Sequence, residues 1–352
     1  MGLRTIPVAI LEKHMRRRTR PTVLAIAATG ALVLSACGSE DGSGPTTSSG
    51  NADACPGEVV DVVVSVGQWG DVVEALGGDC ASVTTVIDSV AVDPHDFEPT
   101  TSDIAAFEEA DLVVLNGADY DHWAADAAGN VDPPPVVLDL ADVVGVETEE
   151  HAEEEGEEHA EGEGEEHAEE EHGHGGVNPH IWYSPDFVQQ ASEAVTAELT
   201  KLSPDAADHF AERADAWQEE LAPYLAEVQA LQAGAQGRTY AATESVFEYL
   251  ADAIGLRDVT PEGYRDSASN ETDPAPGDVA DFEDALSAGE PDVLIYNTQT
   301  EGGIPEQLRQ VGEDHGVPVV EVTESAPEDG LSFVDWQLAQ LRELSAALEQ
   351  QS

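Results

Sequence analysis

The feature that most constrains the fold is a series of short, almost continuous apolar runs separated by segments with helical periodicity. These runs occur in both halves of the chain, at 59–66, 83–87, 112–115, 136–140, 239–243, 293–296 and 317–322. An unbroken apolar run of this length is typical of a strand that is buried on both faces. The alternation of such strands with helices predicts an α/β fold with mostly parallel sheets flanked by helices.

The two halves of the chain also share a local sequence pattern. Residues 98–116 read EPTTSDIAAFEEADLVVLN, and residues 273–285 read DPAPGDVADFEDA, with PDVLIYN following at 291–297. The shared pattern predicts two related lobes, and chance similarity between two βα units is the alternative. If the lobes are related, a ligand is expected in the cleft between them, beyond the carboxyl ends of the strands.

A long helical pattern separates the two halves. Residues 203–234 are expected to form one long linker helix, in which Pro223 would cause a kink or a local break, and a helix of that length spans about 45 Å at 1.5 Å per residue. We therefore expect an N-terminal α/β lobe at 57–202, the linker helix, and a C-terminal α/β lobe at 235–352.

The N-terminal segment has the features of an export signal. A basic cluster at 16–20 precedes an apolar stretch at 22–33, which is too short to span a membrane. The stretch ends at Leu34-Ser35-Ala36-Cys37, which resembles a bacterial lipobox, in which the cysteine becomes the first mature residue and carries a lipid. A plain signal peptide or a short anchor helix is the alternative.

These features predict a signal peptide at 1–36, of which 1–14 form an extension from an upstream start. Residues 37–56 are rich in Gly, Ser and Thr and are expected to be a lipidated, flexible tether. The protein is therefore expected on the extracytoplasmic face of the cell membrane.

Two further cysteines, Cys55 and Cys80, follow Cys37. In an oxidising compartment an isolated pair of cysteines favours a disulfide, and closing this loop would stabilise the fold by about 3 kcal/mol. Two separate buried thiols are the alternative.

A His/Glu-rich segment at 149–174 interrupts the N-terminal half. It has no apolar face, so the loop 147–176 is expected to be disordered. Imidazoles among carboxylates suit metals such as zinc, nickel and copper, and a flexible loop would collect them with low affinity. A solvated acidic spacer is the alternative interpretation. The five histidines in question are His151, His159, His167, His172 and His174.

The charge of the chain argues against nucleic acid as a partner. The chain has 73 acidic and 13 basic residues, for a formal net charge of −60. Such a surface repels phosphate backbones and attracts cations. The sequence also lacks HExxH, GxSxG and GxxxxGK[ST] motifs, so we do not expect an enzyme.

Two histidines lie in matching Pro-His contexts. His95 is part of PHDFEPTTSD, and His180 is part of NPHIWYSP, directly after the His/Glu-rich segment. Together with the lipobox, these runs resemble the metal-binding lipoproteins of zinc and manganese ABC importers, and the resemblance covers about residues 58 to 350. It implies two α/β lobes joined by a long rigid helix, with the metal between them.

The resemblance also implies a set of four metal ligands. His95 and His180 match the first two. Glu244 matches the third, in Glu244-Ser245-Val246-Phe247-Glu248-Tyr249, and Glu324 matches the fourth, in Thr323-Glu324-Ser325. Glutamate replaces the third histidine of many zinc-binding members and the usual fourth aspartate.

The implied function is extracytoplasmic capture of one divalent transition metal for delivery to an ABC permease, by a monomer anchored to the membrane through its lipid. Two imidazoles and two carboxylates would bind zinc as a four-coordinate ion, whereas manganese would need both oxygens of each carboxylate. Zinc is the favoured cargo. The alternatives are a manganese-specific importer component and a surface metal buffer or adhesin without a transporter.

Overall fold

The computed structural model describes residues 45–89, 97–146, 177–270, 272–300, 302–327 and 330–350. The predicted signal peptide and Cys37 lie outside this part of the chain. So do His95 and the five histidines of the His/Glu-rich segment.

The N-terminal half contains a five-stranded sheet. Its strands are β1 (Thr46–Ser48), β2 (Val60–Val66), β3 (Ala81–Ile87), β4 (Leu112–Leu115) and β5 (Val136–Asp139). Their order is β1-β3-β2-β4-β5, in which β1 is antiparallel to β3 and every other pair is parallel. The three central strands are formed by the predicted apolar runs, since β2, β3 and β4 are largely buried.

The described residues of this half form five α-helices: α1 (Gly67–Gly77), α2 (Thr101–Ala105), α3 (His122–Gly129), α4 (Leu140–Val144) and α5 (Pro185–Leu202). The helix α1 follows β2 directly, and Trp69 and Val73 on it are fully buried. Helix α5 begins at Ser184, whose Oγ accepts a hydrogen bond from the N–H of Phe187, with Pro185 in the first turn.

One long helix, α6 (Ala207–Gly234), joins the two halves and continues through Pro223. At 1.5 Å per residue its 28 residues span about 42 Å. It packs against α1 and α5, and Trp217, Leu221 and Tyr224 lie buried along it. The helix is therefore held by packing along its length.

The C-terminal half contains a four-stranded parallel sheet. Its strands are β6 (Thr239–Ala242), β7 (Arg257–Asp258), β8 (Val293–Asn297) and β9 (Val319–Val322), in the order β7-β6-β8-β9. Its helices are α7 (Glu248–Ile254), α8 (Glu262–Ser269), α9 (Pro276–Ala288), α10 (Gly303–His315) and α11 (Phe333–Gln350). Each half thus contains a mostly or fully parallel sheet flanked by helices, as the apolar runs predict.

The last helix ties the C-terminal half to the rest of the protein. Helix α11 packs against α6, and it also contacts α1 of the N-terminal half. The carboxylate of Asp71 on α1 accepts a hydrogen bond from the backbone N–H of Phe333, the first residue of α11. Asp71 therefore links α1 of the N-terminal half to α11 through this hydrogen bond.

The predicted disulfide between Cys55 and Cys80 is confirmed, with the two Cα atoms 5.0 Å apart. It joins the segment before β2 to the segment before β3. The strand β1 lies within the stretch expected to be a flexible tether, and Thr46, Thr47 and Ser48 pair with β3, so that β1 forms one edge of the sheet. Three residues of the expected tether thus belong to the sheet.

None of the helices in the described part of the chain combines the length and the apolar composition needed to cross a bilayer.

Candidate metal centre

Three of the four predicted ligands lie together, at the carboxyl ends of the strands of the C-terminal sheet. Glu244 lies two residues after β6, and Glu324 lies two residues after β9, so both carboxylates follow the carboxyl ends of parallel strands. His180 reaches them from the N-terminal half. His95 lies outside the described residues, so the geometry concerns the other three.

The loop that carries His180 is fixed by its neighbours. His180 is buried, with 3% of its surface exposed, and it precedes a short 3₁₀ turn, Ile181–Tyr183, that leads into α5. The side-chain amide of Asn116, at the end of β4, donates to the backbone carbonyl of Pro179 over 2.9 Å. The indole N–H of Trp69 donates in turn to Oδ1 of Asn116 over 2.9 Å.

Asn178 determines which ring nitrogen of His180 carries the proton. Oδ1 of Asn178 lies 2.8 Å from Nδ1 of His180 and 3.0 Å from its backbone nitrogen. The amide nitrogen of Asn178 donates to the carbonyl of Ser245 and to Glu248, each over 2.9 Å, so the oxygen must face the imidazole. Because that oxygen can only accept, Nδ1 carries the proton, and Nε2 carries the lone pair that a metal ligand needs.

His180 and Glu324 face each other across the boundary of the two halves. The distance between Nε2 of His180 and Oε2 of Glu324 is 3.7 Å. Two atoms that each lie about 2.1 Å from one zinc ion at the tetrahedral angle are about 3.4 Å apart. The two side chains are therefore spaced as a pair that could share a cation.

Glu324 is held through both its backbone and its side chain. Oε1 of Gln299 accepts from the N–H of Glu324 over 2.7 Å and from that of Ser325 over 3.1 Å. The hydroxyl of Tyr120 donates to Oε2 of Glu324 over 3.0 Å. Burial and the charge of Glu324 raise the pKa of Tyr120 well above its usual value, so the phenol stays neutral and remains a donor.

Glu244 is held by two donors from the loop after β8. Its Oε2 accepts from the amide of Asn297, through a short contact, and from the hydroxyl of Thr300 over 2.7 Å. Burial raises the pKa of Glu244, and so does the negative charge of Glu324, whereas these two hydrogen bonds and His180 pull the pKa down. A carboxylate whose pKa is raised by a neighbouring carboxylate would gain from a divalent cation between the two.

Within the described ranges, no three His, Cys, Asp or Glu side chains form a set arranged to hold a metal ion directly. This agrees with the orientation of Glu244, whose Oε2 faces Asn297 and Thr300. The structure brings His180, Glu244 and Glu324 to one place and gives His180 and Glu324 a spacing suited to a cation.

Sequence reasoning does not identify the residues that orient these ligands. Tyr120, Asn297 and Thr300 act through contacts between distant parts of the chain, which no local pattern reports, whereas Asn178 lies two residues from His180 in the NPHIWYSP run. The sequence contains one signal for Asn297: this residue stands at the end of the second copy of the repeated pattern, as Asn116 stands at the end of the first.

A family model matches residues 62–347, which is most of the chain. It describes the periplasmic component A of the zinc-uptake complex, ZnuA. The match starts in β2 and ends in α11, so it includes both sheets and the helix between them.

Two relatives illustrate the range of the family. The high-affinity zinc uptake system protein ZnuA of Bacillus subtilis is 30% identical over 239 residues, covering 66% of this chain and 68% of the relative. The manganese-binding lipoprotein MntA of Halalkalibacterium halodurans is 25% identical over 228 residues, covering 64% of this chain. The chain spans 65% of that relative's length, slightly under two thirds.

Solved structures agree on the fold. The periplasmic zinc binding protein TroA of Treponema pallidum has a TM-score of 0.65 at 19% identity and covers 82% of this chain and 99% of its own. A crystal structure of ZnuA has a TM-score of 0.62 at 19% identity and covers 84% of this chain and 98% of its own. The predicted fold of two α/β lobes joined by a long helix is confirmed by the two sheets, by α6 and by these neighbours. On the strength of the family match, the chain belongs to the ZnuA family of periplasmic zinc-uptake components.

Proposed function

We propose that this protein captures a divalent transition metal outside the cytoplasm and delivers it to an ABC permease in the membrane, and that zinc is its preferred cargo. The observation that carries the proposal is the pair formed by His180 and Glu324. One comes from each half of the molecule, both are buried, and Nε2 and Oε2 lie 3.7 Å apart. A cation between them would join the two halves.

The proposed ligand set is His95, His180, Glu244 and Glu324. Two imidazoles and two carboxylates would neutralise the charge of a divalent ion and match the four-coordinate preference of zinc. The zinc uptake protein of Bacillus subtilis supports zinc as the cargo. The manganese-binding lipoprotein MntA supports manganese as the alternative, because both carboxylates could supply additional oxygens.

Capture and release would be conformational. Binding would draw Glu244 and Glu324 from the C-terminal half toward His180 of the N-terminal half, and docking on the permease would loosen this set. The His/Glu-rich segment would collect ions at low affinity and raise their local concentration. The lipid predicted on Cys37 would keep the protein at the membrane.

Native mass spectrometry tests this proposal. The protein lacking residues 149–174 is exposed to equal concentrations of zinc and manganese, and the full chain is treated in parallel. We expect one tightly bound zinc ion per chain in both samples, since the deletion removes only weak sites. A deletion that abolishes tight binding would favour the metal buffer, and a bound manganese ion would favour the manganese importer. A chain that binds neither metal would overturn the proposal.

A further inference from the structure

Asn297 occupies an unusual position between two candidate ligands. It is the last residue of β8 and is buried, with 1% of its surface exposed. Its amide nitrogen donates one hydrogen to Oε2 of Glu244 and the other to Oε1 of Glu324, the latter over 2.9 Å. A single neutral side chain therefore joins the two carboxylates.

The orientation of this amide is fixed by the loop that follows. The backbone N–H of Gln299 donates to Oδ1 of Asn297 over 3.1 Å. An amide turned the other way would place its NH₂ group against this N–H and its oxygen against two carboxylates. The hydrogen-bond network therefore requires the NH₂ group to face Glu244 and Glu324.

Each carboxylate has one oxygen taken up in this contact. Oε2 of Glu244 accepts from both Asn297 and Thr300, so Glu244 would meet a cation through Oε1. Oε1 of Glu324 accepts from Asn297, whereas Oε2, which accepts from Tyr120, is the oxygen that faces His180. A cation in the cleft would receive one oxygen from each glutamate.

We propose that Asn297 sets the metal preference of the cleft by restricting Glu244 and Glu324 to one oxygen each. One oxygen from each glutamate, beside the imidazole of His180, keeps the number of ligands low, which suits the four-coordinate preference of zinc. Manganese prefers a larger number of oxygen ligands, which two bidentate carboxylates would provide. This inference rests on the proposed function and adds the residue that would decide between zinc and manganese.

A purely structural role for Asn297 would have different consequences. If the amide only filled space and satisfied nearby polar groups, its loss would weaken binding of all metals equally. If it limits the carboxylates, its loss would allow both to become bidentate and would change the ratio of the two affinities. The ratio and the coordination number separate the two roles, whereas affinity for one metal does not.

The experiment uses two substitutions in the full chain. Asn297→Ala removes the amide, and Asn297→Asp retains its shape but adds an oxygen ligand and a negative charge. Chelator competition gives the dissociation constants of the tight site for zinc and for manganese. X-ray absorption at the zinc edge gives the number of nitrogen and oxygen ligands. We expect the preference for zinc over manganese to fall about tenfold or more in both variants. We also expect zinc to gain ligands beyond four in Asn297→Ala.

The matched control is Asn116→Ala, the same substitution at the corresponding strand end of the other sheet. Asn116 contacts no candidate carboxylate and holds the backbone at Pro179 instead. We expect it to weaken both metals together and to leave their ratio unchanged. If Asn297→Ala fails to fold, as judged by circular dichroism, the Asn297→Asp variant carries the test because it is isosteric.

The inference is overturned if the affinity ratio and the zinc coordination number of the Asn297 variants equal those of the wild type. It is also overturned if Asn116→Ala changes the ratio as much as Asn297→Ala does. A wild-type protein that binds neither metal tightly would instead overturn the proposed function itself, so the two failures are distinguishable.

Discussion

An asparagine stands at the end of one strand in each sheet, at corresponding positions of the repeated pattern: Asn116 follows β4, and Asn297 ends β8. The two asparagines have different kinds of hydrogen-bond partner. Asn116 donates to backbone carbonyls, those of Gly117 and Pro179, and accepts from the indole of Trp69. Asn297 donates to the side-chain carboxylates of Glu244 and Glu324. Asn116 therefore holds the backbone of a loop, whereas Asn297 holds two side chains.

This difference indicates how the two halves would share the work of binding. Backbone contacts give the N-terminal half a rigid loop that presents His180 in one orientation. The carboxylates of the C-terminal half are held by side-chain hydrogen bonds, each with a net value of about 1 kcal/mol, so they can shift toward a cation while Asn297 keeps one oxygen of each engaged. The N-terminal half would hold His180 in a fixed orientation, and the carboxylates of the C-terminal half would adjust to the cation.

The largest expected effect comes from removing the fixed ligand. His180→Ala deletes the only nitrogen ligand candidate among the described residues of the cleft, and we expect zinc affinity to fall more than about 100-fold. Titration against a fluorescent zinc chelator measures this. His315→Ala, at an exposed position on α10, is the matched control and should bind zinc like the wild type. Equal affinity of His180→Ala and the control would contradict the proposed site.

Removing the backbone support should mainly cost stability. Asn116 is fully buried, and Asn116→Ala leaves Trp69 and the carbonyl of Pro179 without this partner. We expect the free energy of unfolding to fall by about 2–3 kcal/mol, measured by urea denaturation without metal. Asn130→Ala, at an exposed position, should change it by less than about 0.5 kcal/mol. A stability loss no larger than that of the control would show that the contact is not structural.

The contact between the halves should depend on pH through Asp71. Burial raises the pKa of Asp71 to about 6, the hydrogen bond from Phe333 lowers it, and the charges of Asp88 and Glu220 raise it. Glu74, whose own pKa is raised by burial and by Asp71, is a further acid beside it. Since the folded protein holds this proton more tightly than the unfolded chain, stability is lost as pH rises through about 6.

Replacing Asp71 should therefore stabilise the protein only when the carboxyl is ionised. Asp71→Asn keeps an oxygen that accepts from Phe333, and we expect it to raise the free energy of unfolding by about 1–2 kcal/mol at pH 8. At pH 4.5 we expect little change. Urea denaturation at the two pH values measures the difference, and a variant that is equally stabilised at both would refute the pH dependence.

The smallest effect is expected from the second donor to Glu244. Thr300→Val removes one of the two hydrogen bonds to Oε2 and leaves Asn297 in place. We expect zinc affinity to change less than about fivefold, because the remaining donor still holds the carboxylate. Thr298→Val, on an exposed side chain nearby, should have no effect. A Thr300 variant that loses zinc as completely as His180→Ala would mean that the C-terminal half is as rigid as the N-terminal half.

The central strands could be predicted from sequence because burial on both faces requires apolar residues at every position. Strand β4 has the predicted bounds, and β2 and β8 differ from theirs by one residue. Strands β1 (Thr46–Ser48) and β7 (Arg257–Asp258) were not predicted. They contain only three and two residues, and these residues are polar. Their place in the sheets depends on pairing with β3 and β6, which a local pattern does not encode.

The candidate site was predictable in part for a similar reason. His180 lies in a recognisable motif, and Glu244 and Glu324 follow apolar runs that end at one edge of a sheet. The groups that orient them are ordinary polar residues whose partners are distant in sequence. Tyr120 reaches Glu324 across 204 positions, and Asn178 reaches Glu248 across 70. Such partnerships exist only after folding.

If a metal binds at His180 as proposed, the position of Asn178 would link its release to separation of the halves. The same amide that keeps the proton on Nδ1 of His180 is itself anchored to Ser245 and Glu248 on the opposite side of the cleft. Pulling the halves apart would break those anchors and would free the imidazole to turn. Hinge opening and the weakening of a ligand would then be one event, and the ion would leave as the cleft widens.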